Sequence, residues 1–300
     1  MRLGRRDLLR GTAAGAGMLV MGGCSTAPQA PSGAFDPYEK VLLGKTKIQV
    51  SRVGFGTGMR GGNRQSNQTR MGKERLEALL REAYDRGVRY FDLADMYGSH
   101  PFVAGALAQV PRDSYVLLTK MWVMRGGLPE PERPDADVVV ERFRKELKTD
   151  YIDVVLIHCM TDPQWPERQK KQMDILATLK AKGLIRAHGV SIHSLPALEA
   201  CVDEPWVDSV NARINAYGVS MDDKNAEKVA AVLRRMREKG KGVVGMKLVG
   251  EGRFRDDEEK KDASIRFVLE RNLADTMAVG FESIAEVDDF AGRVRKVKRG

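Results

Sequence analysis

Apolar and polar positions change period repeatedly along this chain from about Lys40 onward. In "KVLLGKTKIQV" apolar residues flank Gly44-Lys45, which predicts a β-hairpin. "SRVGFGT" (51–57) is strand-like and is followed by "KERLEALLREAYDRG" (73–87), a helical pattern stopping on Gly87, as helices often do. "VRYFDLA" then precedes a helix near Pro101–Gln109, and "SYVLLTK" precedes "DADVVVERFRKELK". "YIDVVLIH" leads to "RQKKQMDILATLKAKG", "IRAHGVSIH" to "LPALEACVD", and "WVDSVNA" to "DKNAEKVAAVLRRMREKG". "GVVGMKL" leads to "EEKKDASIRFVLERN" and "TMAVGF" to "IAEVDDFAGRV". Eight strand–helix units in one domain's length predict an α/β fold, a (β/α)8 TIM barrel with an N-terminal β-hairpin, over residues 39–300. A doubly wound open sheet is the runner-up. It would want a phosphate loop opening a helix after the first strand, and no helix opens on "GFGTGMRGG".

Residues ahead of the barrel follow no such period. Arg2, Arg5, Arg6 and Arg10 precede an uncharged Gly/Ala-rich stretch, Gly11 to Gly23, too short to span a bilayer. Residues 1–24 therefore read as an export signal. "RRDLLR" resembles the twin-arginine motif with Arg5 and Arg6 as the pair, and "VMGGC" resembles a lipoprotein cleavage box with Cys24 acylated. Residues 25–38 read as a flexible linker. The expected partners are the twin-arginine export machinery and a membrane reached through a lipid anchor on Cys24. The expected location is the periplasm or the outer side of a membrane.

Composition changes this picture little. Of 300 residues 42% are hydrophobic and 30% charged, which suits a soluble globular body. The net charge of +9 falls to +6 outside residues 1–24, and basic residues alternate with acidic ones as on solvated helix faces. No basic run is interleaved with aromatics, so nucleic acid is not an expected partner. Cys24, Cys159 and Cys201 form no CxxC pair; Cys159 and Cys201 read as free thiols.

In such barrels chemistry sits where the strands end. Those ends carry Thr57, Asp92 with Tyr97, Lys120, His158, Ser191 with His193, Asn211, Met246-Lys247 and Gly280. A tyrosine is a poor acid near neutrality unless a cation lies beside it. Lys120 on the next strand is expected to lower the pKa of Tyr97, Asp92 to counter Lys120, and His158 to orient a carbonyl. That arrangement fits general acid catalysis of carbonyl reduction, with Tyr97 protonating the oxygen while hydride reaches carbon. Asp95 reads as a loop carboxylate or helix cap. Trp122 reads as lining the substrate pocket with His158, a place His100 also fits. His188 and His193 receive no role, and Cys201 and Trp206 read as core or surface residues of one βα unit.

"LGKTKIQVSRVGFGTG", "GVRYFDLADMYG", "LLTK", "LKTDYIDVVLIH", "LKAKGLIRAHGVS" and "VVGMKLVGEG" resemble the aldo-keto reductases, nicotinamide-dependent oxidoreductases, from Lys40 to Arg293. The resemblance implies a catalytic tetrad of Asp92, Tyr97, Lys120 and His158. It implies NADP(H) or NAD(H) as cofactor, a small carbonyl or alcohol as substrate, and no metal. Cofactor contacts would fall on Thr57, Asp92, Ser191, Asn211, Met246, Lys247, Gly250, Gly280 and Glu286. The chain departs from the family where Ile192 replaces the usual Asn, Asn211 the usual Gln, and Met246 a stacking aromatic. Between Asn272 and Gly292 it has no Lys or Arg but has Asp275, Glu282, Glu286, Asp288 and Asp289. An acidic loop facing the ribose would penalise the NADPH phosphate.

Two other functions compete. A metal-dependent hydrolase would use Asp92, Asp95, His100 and His158 as ligands, leaving Tyr97 and Lys120 without a task. A non-catalytic lipoprotein would keep the barrel as a binding scaffold.

Overall fold

Residues 33–300 are described by a computed structural model. Arg5, Arg6, Cys24 and most of the proposed linker lie outside the described residues. The hairpin is β1 (Lys40–Leu42) against β2 (Gln49–Ser51), antiparallel. Eight parallel strands follow: β3 (Val53–Gly56), β4 (Tyr90–Asp92), β5 (Val116–Met121), β6 (Ile152–Met160), β7 (Ile185–Ile192), β8 (Ser209–Arg213), β9 (Gly242–Met246) and β10 (Thr276–Gly280). They close in that order, with β10 pairing β3 in register Met277↔Val53. The Thr276 hydroxyl fastens this seam by donating to the Ser51 carbonyl at 2.7 Å. The (β/α)8 reading of the sequence is the observed fold.

The helices are α1 (Asn67–Arg70), α2 (Lys73–Arg86), α3 (His100–Ala106), α4 (Ala136–Leu147), α5 (Trp165–Arg168), α6 (Lys170–Ala181), α7 (Leu195–Asp203), α8 (Ala226–Glu238), α9 (Glu258–Glu270) and α10 (Ile284–Lys296). Most bury one stripe on the barrel. In α4, Val139, Val140, Phe143 and Leu147 are buried at helical spacing. Side-chain caps start several of them: Ser194 for α7, Asn225 for α8, Asp257 for α9 and Ser283 for α10.

Two apolar clusters divide the core. The larger lies between helices and barrel wall. The smaller fills the barrel from inside and joins Tyr90, Leu118, Val154, Leu156 and Val244 to Leu43, Ile48 and Val50 of the hairpin. The hairpin is therefore a floor to the barrel. Its turn comes so close to β9 that a Cβ at Gly44 would overlap Gly242, and Gly44 has φ +52. Only glycine fits both demands.

The barrel body starts earlier than composition suggests. Residues 33–38, expected in the linker, pack on the C-terminal segment: Phe35 is buried and its N–H donates to the Val297 carbonyl at 3.0 Å. Arg299 lies over its ring at 4.4 Å. An aromatic side chain in a polar tail gains more from that apolar seat than from water.

Candidate active site

β4 ends on Asp92, and three residues later the chain tightens into a 3-10 turn, Asp95–Tyr97. Parallel strands bring the end of β5 alongside, so the fully buried Lys120 meets Asp92. The Lys120 ammonium donates to Asp92 Oδ1 and to the Leu93 carbonyl at 2.8 Å. Asp92 Oδ2 accepts from Asn211 Nδ2 at 2.6 Å and from the Tyr90 hydroxyl at 3.4 Å. A buried carboxylate is tolerable because each oxygen is bonded. The opposed charges then hold one another in place inside the rim.

Tyr97 lies over this pair, with the Lys120 Nζ 5.1 Å from its ring centroid. The ring rests on backbone that has no side chains: a Cβ at Gly58 or at Gly61 would run into it. The Tyr97 hydroxyl and His158 Nε2 are 3.5 Å apart. That is too long for a strong bond, and it lets one further oxygen sit within bonding distance of both. Trp122 stands edge-on to His158 at 5.4 Å between centroids, its indole donating to the Gly126 carbonyl at 2.6 Å.

Burial sets the protonation states. The His158 pKa is pulled well below 6.5 by desolvation, helped by Lys120, His193 and Lys247, so the ring is neutral. The Tyr97 phenol is pushed well above 10 by desolvation, then by Asp92 and Cys159. The net shift of Tyr97 is upward and not downward as expected, because desolvation dominates it. Lys120 itself is lowered by desolvation, which Asp92 opposes. The result is a neutral phenol beside a neutral imidazole.

A cleft of about 690 Å³ opens beside Tyr97 and runs across the ends of β9 and β10. Of the residues assigned to the cofactor from sequence, Asp92, Met246, Lys247, Gly280 and Glu286 line it. Thr57, Ser191, Asn211 and Gly250 do not. The Thr57 hydroxyl donates to the Asp92 carbonyl at 2.9 Å, and Ser191 Oγ accepts from the Cys159 N–H at 2.8 Å. Asn211 is turned onto Asp92, although its buried Oδ1 has no partner and remains a free acceptor. Gly250 opens a turn against the Phe254 ring.

The acidic reading of the far end is corrected. Arg255 enters from the loop before α9 and pairs with Glu282 at 2.7 Å and with Glu286. Lys261 sits 3.4 Å from Asp289, and Arg86 2.7 Å from Asp288. Arg60, Lys247, Arg253, Arg255 and Lys261 line the cleft against Asp92, Glu251, Glu286 and Asp289, so its walls are not acidic on balance. The expectation failed because the compensating cations come from another βα unit. A long, negatively charged ligand fits such walls.

Other residues part company with the tetrad. Asp95 is not a solvated loop carboxylate: it is 3% exposed and bound to Arg64 and Arg142. His100 is buried between Glu146 at 2.6 Å and Thr119 at 2.8 Å, away from the pocket. The hydrolase ligand set is thus dispersed onto separate partners, and among the described residues no three His, Cys, Asp or Glu form a metal-holding group. Cys159 and Cys201 are free; Cys159 Sγ is 3.1 Å from His193 Nδ1. His188 stacks on Trp206 at 4.3 Å.

A sequence model described as "Aldo/keto reductase family" matches residues 52–297. The NADH-specific methylglyoxal reductase of Escherichia coli is 26% identical over 206 residues, covering 62% of this chain and 62% of that one. The chain spans about half to three fifths of the length of the first curated relatives it matches. Among solved structures, an aldo-keto reductase from Bacillus halodurans in its holo form superposes with TM-score 0.68 at 21% identity, over 88% of this chain and 93% of that one. An aldo/keto reductase from Klebsiella pneumoniae, in complex with NADP and acetate, gives TM-score 0.64 at 20% identity over 87% and 92%.

Proposed function

The chain belongs to the aldo/keto reductase family, whose members use NAD(P)H, and on that premise we propose that it reduces a small aldehyde or ketone with Tyr97 as general acid. The observation that carries this reading is the pairing of a neutral Tyr97 hydroxyl and a neutral His158 Nε2, 3.5 Å apart over a buried Asp92–Lys120 pair. The nicotinamide, when bound, supplies hydride to the carbonyl carbon. His158, with its proton on Nε2, donates to the carbonyl oxygen and aims it at Tyr97. As negative charge grows on that oxygen, Tyr97 transfers its proton. The Lys120 cation, 5.1 Å from the ring, steadies the phenolate left behind. Trp122 walls the His158 side.

The cofactor would be held by Met246, Lys247 and Gly280 at the inner end and by Arg255 and Lys261 at the outer. 2-Oxoaldehydes are the first substrates to try, since one relative is named for methylglyoxal. Oxidation of NADH and NADPH at 340 nm across small aldehydes and 2-oxoaldehydes tests the proposal. Tight nucleotide binding with no turnover on any carbonyl would favour the scaffold alternative instead.

Arg255 gives a prediction on cofactor choice. A 2′-phosphate must draw it away from Glu282 and Glu286, so NADP(H) is expected to bind little better than NAD(H). Glu286→Gln loosens that hold, and about tenfold tighter NADP(H) with unchanged NAD(H) is expected, equivalent to ~1.4 kcal/mol. Fluorescence titration of both nucleotides reads this out; equal gains for both would refute the role of Arg255.

The proposal includes export, supported by Arg5-Arg6 and Cys24 in the sequence. Arg5→Lys with Arg6→Lys is expected to retain the protein in the cytoplasm. Cys24→Ser should release it from the membrane fraction, and unchanged attachment would show that no lipid sits on Cys24.

A further inference from the structure

The hydroxyl of Tyr97 has a weak hold of its own. Among the described residues its polar contact is His158, at 3.5 Å. Its ring rests on Gly58 and Gly61, which offer it no side chain to bond. Something else must fix the turn that carries it.

Asp95 opens that same three-residue turn and is buried, its carboxylate on Arg142 of α4 and on Arg64. Arg142 of α4 grips it in a fork, Nη1 to Oδ1 at 3.0 Å and Nη2 to Oδ2 at 2.6 Å. Arg64 Nε, from the loop before α1, adds a third bond to Oδ1 at 3.0 Å. Paired, planar bonds of this kind fix direction as well as distance. The fork is itself held. Arg142 Nη1 also meets Glu146 Oε1 at 2.9 Å, whose other oxygen meets His100 Nδ1 at 2.6 Å. His100 Nε2 then reaches the Thr119 hydroxyl at 2.8 Å. Thr119 precedes Lys120 on β5. A continuous polar chain therefore joins the strand that carries the lysine to the turn that carries the tyrosine.

We propose that Asp95 is a positioning residue, holding the Tyr97 hydroxyl against His158 through its bonds to Arg142 and Arg64. This rests on the reading of Tyr97 as the acid. A displacement of the donor by about 1 Å can cost on the order of a hundredfold in rate, and Asp95 sets that displacement without touching substrate. Glu146 keeps its end of the chain charged. Burial raises its pKa, but the His100 bond and then Arg142 outweigh it, bringing it to about 2.

Asp95→Asn keeps the size of the side chain and loses the ionic fork. Its kcat is expected to fall about tenfold to a hundredfold, with KM and nucleotide Kd within about twofold of the unmodified protein. A double-mutant cycle separates positioning from damage to the scaffold. In a Tyr97→Phe background, residual turnover measured at high enzyme concentration should show no further loss from Asp95→Asn. Should Asp95→Asn fail to fold, Arg142→Lys and Arg64→Lys make the same test, since both arginines are about one third exposed. Loss of kcat confined to the Tyr97 background supports the proposal. Undiminished kcat in Asp95→Asn, with Tyr97→Phe inactive, overturns it, as does an equal loss in both backgrounds. Turnover persisting in Tyr97→Phe would overturn the acid assignment, and the proposal with it.

Discussion

Tyr97→Phe is expected to lower carbonyl reduction by about 10²–10⁴-fold while leaving nucleotide Kd almost unchanged. The phenyl ring keeps its seat on Gly58 and Gly61, and the Asp92–Lys120 pair beneath it loses no partner. Only the proton is missing. His158 cannot replace it efficiently, because desolvation keeps its ring neutral and the product would be an imidazolate. The same states predict the pH profile. In the free enzyme His158 titrates below 6.5 and Tyr97 above 10, so kcat/KM should be flat between those values. Steady-state kinetics with stopped-flow nucleotide binding check both points. Turnover in Tyr97→Phe within threefold of the unmodified protein (about 0.6 kcal/mol) would remove Tyr97 from the mechanism.

Lys120→Met is expected to act twice. It removes the cation that steadies the phenolate, for a loss of about 10²–10³-fold in kcat. It also strands Asp92, which is 4% exposed and keeps only Asn211 and the distant Tyr90 hydroxyl as partners. Breaking one side of a buried pair costs about 3–5 kcal/mol of stability. The two effects can be separated. In the Lys120→Met, Asp92→Asn double variant no charge is left buried, so denaturant unfolding should recover most of the lost stability while turnover stays lost. If the double variant regained activity, the lysine would be a structural counter-ion and nothing more.

The barrel and the meeting of four of its strand-end residues were legible for one reason. Strand runs such as "VLLTK" and "VVLIH" announce themselves by composition, and parallel strands of a closed barrel put all their ends on one rim. Asp92, Tyr97, Lys120 and His158 therefore needed no knowledge of side-chain direction to be grouped. Where direction matters, the sequence was silent. Ser191 and Asn211 also stand at strand ends, yet one caps the Cys159 backbone and the other crosses the barrel to Asp92, 119 residues away. Arg255 was missed because its partners Glu282 and Glu286 are in the next unit. An acidic stretch read alone has no visible counter-charge. Asp95 was underrated for a like reason: Arg64 and Arg142 approach from opposite sides in sequence, and neither spacing is helical. Phe35 and Tyr38 were the readable hints that the body starts before residue 39.

The β10–β3 seam carries a consequence for how the chain is made. Ser51 and Thr276 meet across it, 225 positions apart. Synthesis proceeds from the N-terminus, so β3 waits with an unpaired edge until almost the entire chain has emerged. A nascent chain ending before Thr276 would present two open parallel edges, on β3 and β9, each a template for a neighbour's strand. Long-range closure of this kind is intrinsically slow and leaves apolar surface exposed meanwhile. The hairpin floor shortens that exposure at one end, because Leu43, Ile48 and Val50 are present from the start to cover the inside of the growing wall. The step that completes the ring is then the arrival of five residues, Thr276–Gly280.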